Sequence, residues 1–227
     1  MRCSRTLEPR RRPGFPLGAS PAWRAAIPLG SALSRWWVDF ERAGQPPPDG
    51  PIVVAANHYS HVDPALVSFT VRRPIRYLAL DELYGNSRFF DRFTLFFGAI
   101  PVSRTRAPIG ALRLALAELA SGGTVGLFPE GVRVWTWGEA EPKRGAAWLA
   151  RRAGVPLVPV ALAGTDLVMG RGARRISRSP VLGVVCEPIF PEDYSEHDDP
   201  VGAMTEEWAK RVGVALRDAY GRRAEPG

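Results

Sequence analysis

The sequence predicts an α/β fold: a single layered domain with a mixed central β-sheet flanked by helices, preceded by a basic N-terminal extension and an amphipathic segment. Two observations carry this prediction. Short apolar runs of strand length alternate along the chain with segments of helical period, which is the pattern of layered α/β domains. The chain has 227 residues, 45% of them hydrophobic and 23% charged, enough for one domain with a substantial core and few for two.

Residues 1–21 are rich in arginine and proline, with Arg10-Arg11-Arg12-Pro13, and read as a disordered basic tail. From Pro21 to Phe40 the character changes. Leu33, Trp36, Trp37 and Phe40 fall at i, i+3, i+4 and i+7, one stripe of a helix. Two adjacent tryptophans beside basic residues suit a membrane interface, where the ring is buried and the indole N–H stays wet. Core packing explains the stripe equally well, and Trp36 to Phe40 could instead enter a strand. Gln45 to Pro51 is a proline-rich connector. The expected division is therefore a tail (1–21), a membrane-proximal segment with its connector (22–50) and the layered domain itself (51–222).

Within that domain, Ile52 to Ala56 reads as a buried strand, Asn57 to Val62 as a loop, and Asp63-Pro64 as an N-cap followed by proline in the first helical turn. This helix should run to about Val71. Arg76 to Leu80 follows as a strand, and Ser87 to Phe97 as a helix crowded with phenylalanine. Ala99 to Val102 is a short strand that delivers Ser103 and Arg104 to its end. Ile109, Leu112, Leu116 and Leu119 then keep helical spacing until Gly122-Gly123. Thr124 to Phe128 is a strand leading into Phe128-Pro129-Glu130-Gly131-Val132-Arg133, and Val134 to Pro142 an exposed loop. Arg144 to Ala153 is a helix stopped by Gly154. Val155 to Ala163 is an apolar strand whose prolines suit a sheet margin better than its centre. Val181 to Cys186 is the last strand, and Met204, Trp208, Val212, Ala215 and Ala219 mark one face of a C-terminal helix.

Charge and cysteine content narrow the classes of function. The net charge is +7; residues 1–50 hold eight arginines against four acids, and Arg171, Arg174, Arg175 and Arg178 form a second cluster. Such an excess favours anionic partners such as phosphate groups, lipid surfaces or nucleic acid. Cys3 and Cys186 suggest neither a disulfide framework nor a cysteine metal site. The first residues lack the uninterrupted apolar core of a secretory signal, and no apolar run approaches the roughly 20 residues that cross a bilayer.

The chemistry concentrates in Asn57-His58-Tyr59-Ser60-His61-Val62-Asp63-Pro64, which holds two of the three histidines. His58 and Asp63, five positions apart, cannot share a helical face, because five steps of about 100° leave them well separated. A turn must bring them together. Alone, the pair is as well explained by a helix cap and a structural histidine.

Three later blocks change its meaning: Gly98-Ala99-Ile100-Pro101-Val102-Ser103-Arg104, Phe128 to Arg133, and Val155-Pro156-Leu157-Val158-Pro159-Val160, with Lys143-Arg144-Gly145-Ala146 between the last two. Together, in this order, the blocks resemble the 1-acylglycerol-3-phosphate acyltransferase (lysophosphatidate acyltransferase) family, whose first block is commonly N-H-x-S-x-x-D. The resemblance spans about residues 38–190. It implies acyl transfer from an acyl-CoA or acyl carrier protein thioester to the free hydroxyl of a lysophospholipid, with no cofactor and no metal. It also implies His58 as general base oriented by Asp63, and an acceptor site of Ser60, Arg104, Glu130, Gly131 and Arg133.

The residue chemistry agrees with this reading. An alcohol attacks a thioester only as it loses its proton, and a positioned imidazole is worth roughly 10² to 10⁴ in rate. Arginines hold phosphate through paired hydrogen bonds. Glu130 would repel phosphate, so it is expected to orient an arginine or brace its loop. The family usually has threonine at Val132 and often a lysine or arginine at Asp81, differences that bear on head-group choice. The expected location is peripheral, at an anionic membrane surface on the cytoplasmic face.

Two other classes compete. His58, His61 and Asp63 form H-x2-H-x-D, which could hold a hydrolytic metal; the third histidine, His197, lies in an acidic stretch. A nucleic-acid-binding module would rest on charge alone, since zinc-finger, RRM and P-loop signatures are absent.

Overall fold

The computed structural model describes residues 21–80, 98–102, 109–173 and 175–224. The basic tail, the phenylalanine-rich helix expected at Ser87 to Phe97, and Asp81, Ser103 and Arg104 lie outside these. The elements run α1 (Pro21–Trp37), β1 (Phe40–Gly44), β2 (Ile52–Ala56), α2 (Asp63–Val71), β3 (Arg76–Leu80), β4 (Ile100–Val102), α3 (Ile109–Ala120), β5 (Thr124–Leu127), α4 (Gly145–Ala153), β6 (Leu157–Ala163), α5 (Thr165–Met169), β7 (Val181–Val185), a 3-10 turn (Pro191–Tyr194) and α6 (Pro200–Ala224).

Seven strands form one sheet in the order β1-β7-β6-β2-β5-β3-β4. The run β6-β2-β5-β3-β4 is parallel, β7 is antiparallel to β6, and β1 is parallel to β7. The antiparallel β6–β7 pair makes the sheet mixed, as expected.

β2 lies at its centre because Ile-Val-Val-Ala-Ala can be buried on both faces, with each successive side chain pointing to the opposite side. Ile52, Val54 and Ala56 join Leu66, Val67 and Val71 of α2 in one core. Val53 and Ala55 join Ala111, Ala115 and Leu119 of α3, Leu149 of α4, and Met204, Trp208, Val212 and Leu216 of α6 in the other. Trp208 also donates its indole N–H to the Ala55 carbonyl (2.9 Å), which ties α6 to the middle of the sheet. α4 ends where Gly154 adopts a left-handed conformation (φ 64°) and its N–H returns to the last-turn carbonyls of Ala150 and Arg151.

Several expectations need correction. Phe40 belongs to β1 rather than to the stripe of α1, and β1 is an edge strand of the sheet, so the layered domain takes in residues before Pro51. β6 sits in the sheet interior, with all seven residues buried, although it contains Pro159. Pro159 is tolerated there because its carbonyl, and hence its missing N–H, faces β7. It accepts from Cys186 (3.0 Å) just past Val185, where the β6–β7 ladder ends. On α3 the buried stripe is Ala111, Ala115, Glu118 and Leu119, while Ile109 is exposed. In the stretch expected to be an exposed loop, Val134 is buried and Trp137 packs on Trp208, with ring centroids 5.6 Å apart.

Glu118 faces inward because it meets a charge there. Its Oε2 is 2.8 Å from Arg76 Nη1, both side chains are almost fully buried, and Arg76 Nε–H donates to the Gly98 carbonyl (2.9 Å). The pair fastens β3 to α3 and to the entrance of β4. Removing one partner strands the other charge in the core, so Glu118→Ala is expected to cost about 3–5 kcal/mol in urea unfolding. The double replacement Arg76→Met with Glu118→Leu should recover most of that loss. Equal destabilisation by the single and double changes would show that the pair's packing, not its charge, matters.

Candidate active site

The candidate site opens where the parallel strands end, the usual crevice of such sheets. β2 is released there by Asn57. Its amide donates to the Leu162 carbonyl (2.9 Å) and accepts from the Leu162 N–H (2.7 Å), so a side chain continues the pairing with β6 while the backbone turns away. His58 is the first residue clear of the sheet, and the turn after β5 holds it from both sides. Its N–H donates to Glu130 Oε2 (2.6 Å), and its carbonyl accepts the Val134 N–H (2.9 Å). The imidazole stacks on Phe128 (4.1 Å, 19°), which stacks in turn on Tyr77 (5.5 Å, 10°).

Asp63 closes the arrangement. Its Oδ2 is 2.8 Å from His58 Nδ1 and accepts the backbone N–H groups of Tyr59 and Ser60, each at 2.7 Å. The expected N-cap is therefore wrong in detail. Asp63 is the first residue of α2, Val62 precedes it without a side-chain cap, and the carboxylate points back over the loop. A carboxylate in the first helical turn still meets the positive end of the helix dipole. Because Oδ2 only accepts, the network assigns the proton of the bond to His58 Nδ1 and leaves the lone pair of Nε2 for chemistry.

The other expected residues divide by role. Ser60 is fully buried and donates its hydroxyl to the Met169 carbonyl (2.7 Å), so it braces the α5 turn instead of facing a ligand. Glu130 braces His58, and among the described residues it orients no arginine. Burial, reinforced by the charges of Asp63 and Glu139 and opposed by the His58 N–H, pushes its carboxyl up to about 8. Gly131 has φ +70°, and a Cβ there would come within 2.6 Å of Lys143 Nζ, so the turn needs glycine. This also places Lys143 over the turn, a cation quoted in the sequence blocks without a role.

Arg133 follows the turn. Burial, then the neighbouring charge of Arg171, depresses its guanidinium, and Asp63 opposes them. Its Nη1 is buried and finds no hydrogen-bond partner among the described residues. Arg104 lies outside the described residues; β4, which leads to it, ends at Val102, three strand positions or roughly 14 Å from β2. His61 is exposed, with its N–H on the Met169 carbonyl (3.3 Å), and among the described residues no group of His, Cys, Asp and Glu is arranged to hold a metal.

Strand direction also settles where the tryptophans of α1 emerge. β1 and β7 run opposite to β6, and Phe40 pairs with Val181 beside the end of β6. The last turn of α1 therefore enters the sheet from the edge on which His58 opens. Trp23 and Ile27 pack against Ala65 and Phe69 of α2, whereas Leu29, Leu33, Trp36 and Trp37 are exposed, Trp36 by 75%. No helix among the described residues is long and apolar enough to cross a membrane.

Sequence reasoning missed Asn57 as the residue that releases β2 and Phe128 as the platform under the imidazole. Asn57 was visible as the first letter of the N-H-x-S block, and Phe128 as an aromatic residue closing an apolar strand.

A protein-family model described as Acyltransferase matches residues 38–163. A 1-acyl-sn-glycerol-3-phosphate acyltransferase of Chlamydomonas reinhardtii is 32% identical over 157 residues, 66% of this chain and 45% of the relative. A chloroplastic 1-acyl-sn-glycerol-3-phosphate acyltransferase of Brassica napus is 28% identical over 159 residues, 64% and 42% of the two chains. The chain thus spans less than half the length of these curated relatives. The crystal structure of the 1-acyl-sn-glycerophosphate (LPA) acyltransferase PlsC of Thermotoga maritima superposes with a TM-score of 0.66 at 24% identity, covering 90% of this chain and 81% of that one. That likeness establishes a shared fold.

The position of Glu130 has a consequence for pH dependence. The folded protein keeps a proton on this carboxyl up to about pH 8, whereas the unfolded chain releases it near 4.5. Across that window the native state binds more protons, so stability falls as pH rises and levels off above it. Glu130→Gln retains an oxygen for the His58 N–H and cannot ionise. Its urea midpoint should fall less than the wild-type midpoint between about pH 5 and pH 8. Parallel declines would show that Glu130 ionises normally in the fold.

Proposed function

The chain belongs to the acyltransferase family, and from that premise we propose that it transfers a fatty acyl group from a thioester to the free hydroxyl of a lysophospholipid, with 1-acylglycerol 3-phosphate as acceptor and phosphatidic acid as product. The observation that carries this reading is the His58 Nδ1 to Asp63 Oδ2 contact at 2.8 Å, at the C-terminal end of β2. Nε2 accepts the acceptor's hydroxyl proton as its oxygen attacks the thioester carbonyl. The new C–O bond forms a tetrahedral intermediate. Its collapse breaks the C–S bond, and the imidazolium returns the proton to the departing thiolate. Asp63 keeps the ring in one tautomer and stabilises the imidazolium while it exists, the part a carboxylate plays in serine-protease triads. The nucleophile belongs to the substrate, so no enzyme-bound acyl group is needed.

Arg133 supports an acceptor phosphate near this base. Arg104 is proposed to bind the same group, and Gly131 to let the backbone come close. The donor is an acyl-CoA or an acyl carrier protein thioester, and the reaction requires no metal and no cofactor. Leu29, Leu33, Trp36 and Trp37 support peripheral attachment to an anionic membrane surface, at the sheet edge where a lipid acceptor would enter.

Mass spectrometry of products from purified protein given acyl donors and a panel of lysophospholipids is expected to detect diacyl product. His58→Ala should lower kcat by at least roughly 10² with the circular dichroism spectrum unchanged. Asp63→Asn should lower it by on the order of 10³ to 10⁴ through the wrong tautomer. Full activity of His58→Ala would end the proposed mechanism. In flotation assays, anionic vesicles should retain the wild-type chain and release Trp36→Ser/Trp37→Ser. Retention of both proteins alike would remove α1 from membrane attachment.

A further inference from the structure

The basic cluster after α5 has no part in the reaction as described, yet the fold brings its first member to the site. Two independent connections do so. The α5 turn is bonded to the catalytic loop: Ser60 bridges Gly170, Ser60 Oγ donates to the Met169 carbonyl (2.7 Å), and the His61 N–H reaches the same carbonyl (3.3 Å). Arg171 follows immediately. On the other side, its guanidinium carbon lies 5.7 Å from the ring centre of Trp135, next to Val134, whose N–H holds the His58 carbonyl (2.9 Å).

The side chain is set in place there without being consumed. Trp135 provides a cation–π face. Glu139 is anchored by the N–H groups of Trp135 (2.6 Å) and Thr136 (3.4 Å), and presents Oε1 to Arg171 Nη1 at 3.8 Å, too long for a hydrogen bond. Arg171 is about half exposed. Trp135 is two residues beyond Arg133, whose guanidinium is depressed by the charge of Arg171, and Arg133 Nη1 is a buried donor that finds no partner among the described residues. Asp63 is the carboxylate that opposes the shift at Arg133; its Oδ2 already accepts three hydrogen bonds, and its Oδ1 finds no partner among the described residues. Two guanidinium groups held near each other in this way complement a doubly charged anion between them.

We propose that Arg171 binds the phosphate monoester of the acceptor head group opposite Arg133, and so makes the site prefer a dianionic head group to a phosphodiester or a neutral one. This rests on the acyltransferase reading above for the identity of the acceptor. The anion contact itself does not need turnover to be observed.

The test titrates the full chain with glycerol 3-phosphate, and separately with coenzyme A, by calorimetry. Arg171→Ala should weaken glycerol 3-phosphate at least about tenfold, Arg171→Lys by less, and neither should change coenzyme A binding. In turnover, Arg171→Ala should raise the acceptor KM by a similar factor with kcat within about twofold, and should lose far less with a lysophosphodiester acceptor. Three results would overturn the inference: no binding of glycerol 3-phosphate to the wild type, an unchanged Kd in Arg171→Ala, or a loss confined to coenzyme A, which would assign the arginine to the donor. A wild-type chain that binds glycerol 3-phosphate through Arg171 but acylates no lysophospholipid would leave this site standing and refute the proposed reaction instead.

Discussion

One carboxylate oxygen, Asp63 Oδ2, accepts from the His58 ring and from the backbone N–H groups of Tyr59 and Ser60 within 2.8 Å. A fully buried carboxylate loses several kcal/mol of hydration, and hydrogen bonds to charged groups return about 1.5–3 kcal/mol each. Three such bonds are on the scale needed to offset that loss. The same three bonds define the turn, since the N–H groups of two successive residues can converge on one oxygen only if the chain curls around it. The loop conformation, the tautomer of His58 and the first turn of α2 thus depend on a single atom.

Around that atom the neighbouring strands act as clamps. Asn57 substitutes its amide for a backbone pair with Leu162, so β2 leaves the ladder without stranding buried polar groups. The turn after β5 grips both the N–H and the carbonyl of His58 while Phe128 stacks beneath its ring. Glu130, read from sequence as part of an acceptor site, is better understood as one of these clamps. Its burial favours the neutral carboxyl, which limits the negative charge it would present to an anionic substrate.

The charge asymmetry of the chain acquires a location only in three dimensions. Arg133 and Arg171 are separated by 38 positions, yet the charge of Arg171 reaches Arg133 at the end of the parallel strands, with Lys143 over the Gly131 turn. Basic groups therefore gather beside the turn that holds His58. The apolar, tryptophan-bearing end of α1 enters from the same edge because β1 and β7 reverse direction relative to β6. In the proposed reaction, both features would meet a lipid with an anionic head group.

The sequence alone determined the strands and helices whose apolar period was uninterrupted. Ile52 to Ala56 and Arg76 to Leu80 match β2 and β3 to the residue, and Gly154 stops α4, because burial and glycine conformation are local properties. The sequence blocks likewise singled out His58, Asp63 and Glu130 to Arg133. It could not decide that β6 is central despite Pro159, since whether a missing N–H matters depends on where a partner strand ends. Nor could it spend Ser60 on the α5 turn or bring the charge of Arg171 to bear on Arg133. Those outcomes depend on hydrogen bonds and charges between residues far apart in the chain, and only the assembled sheet edge brings them within reach.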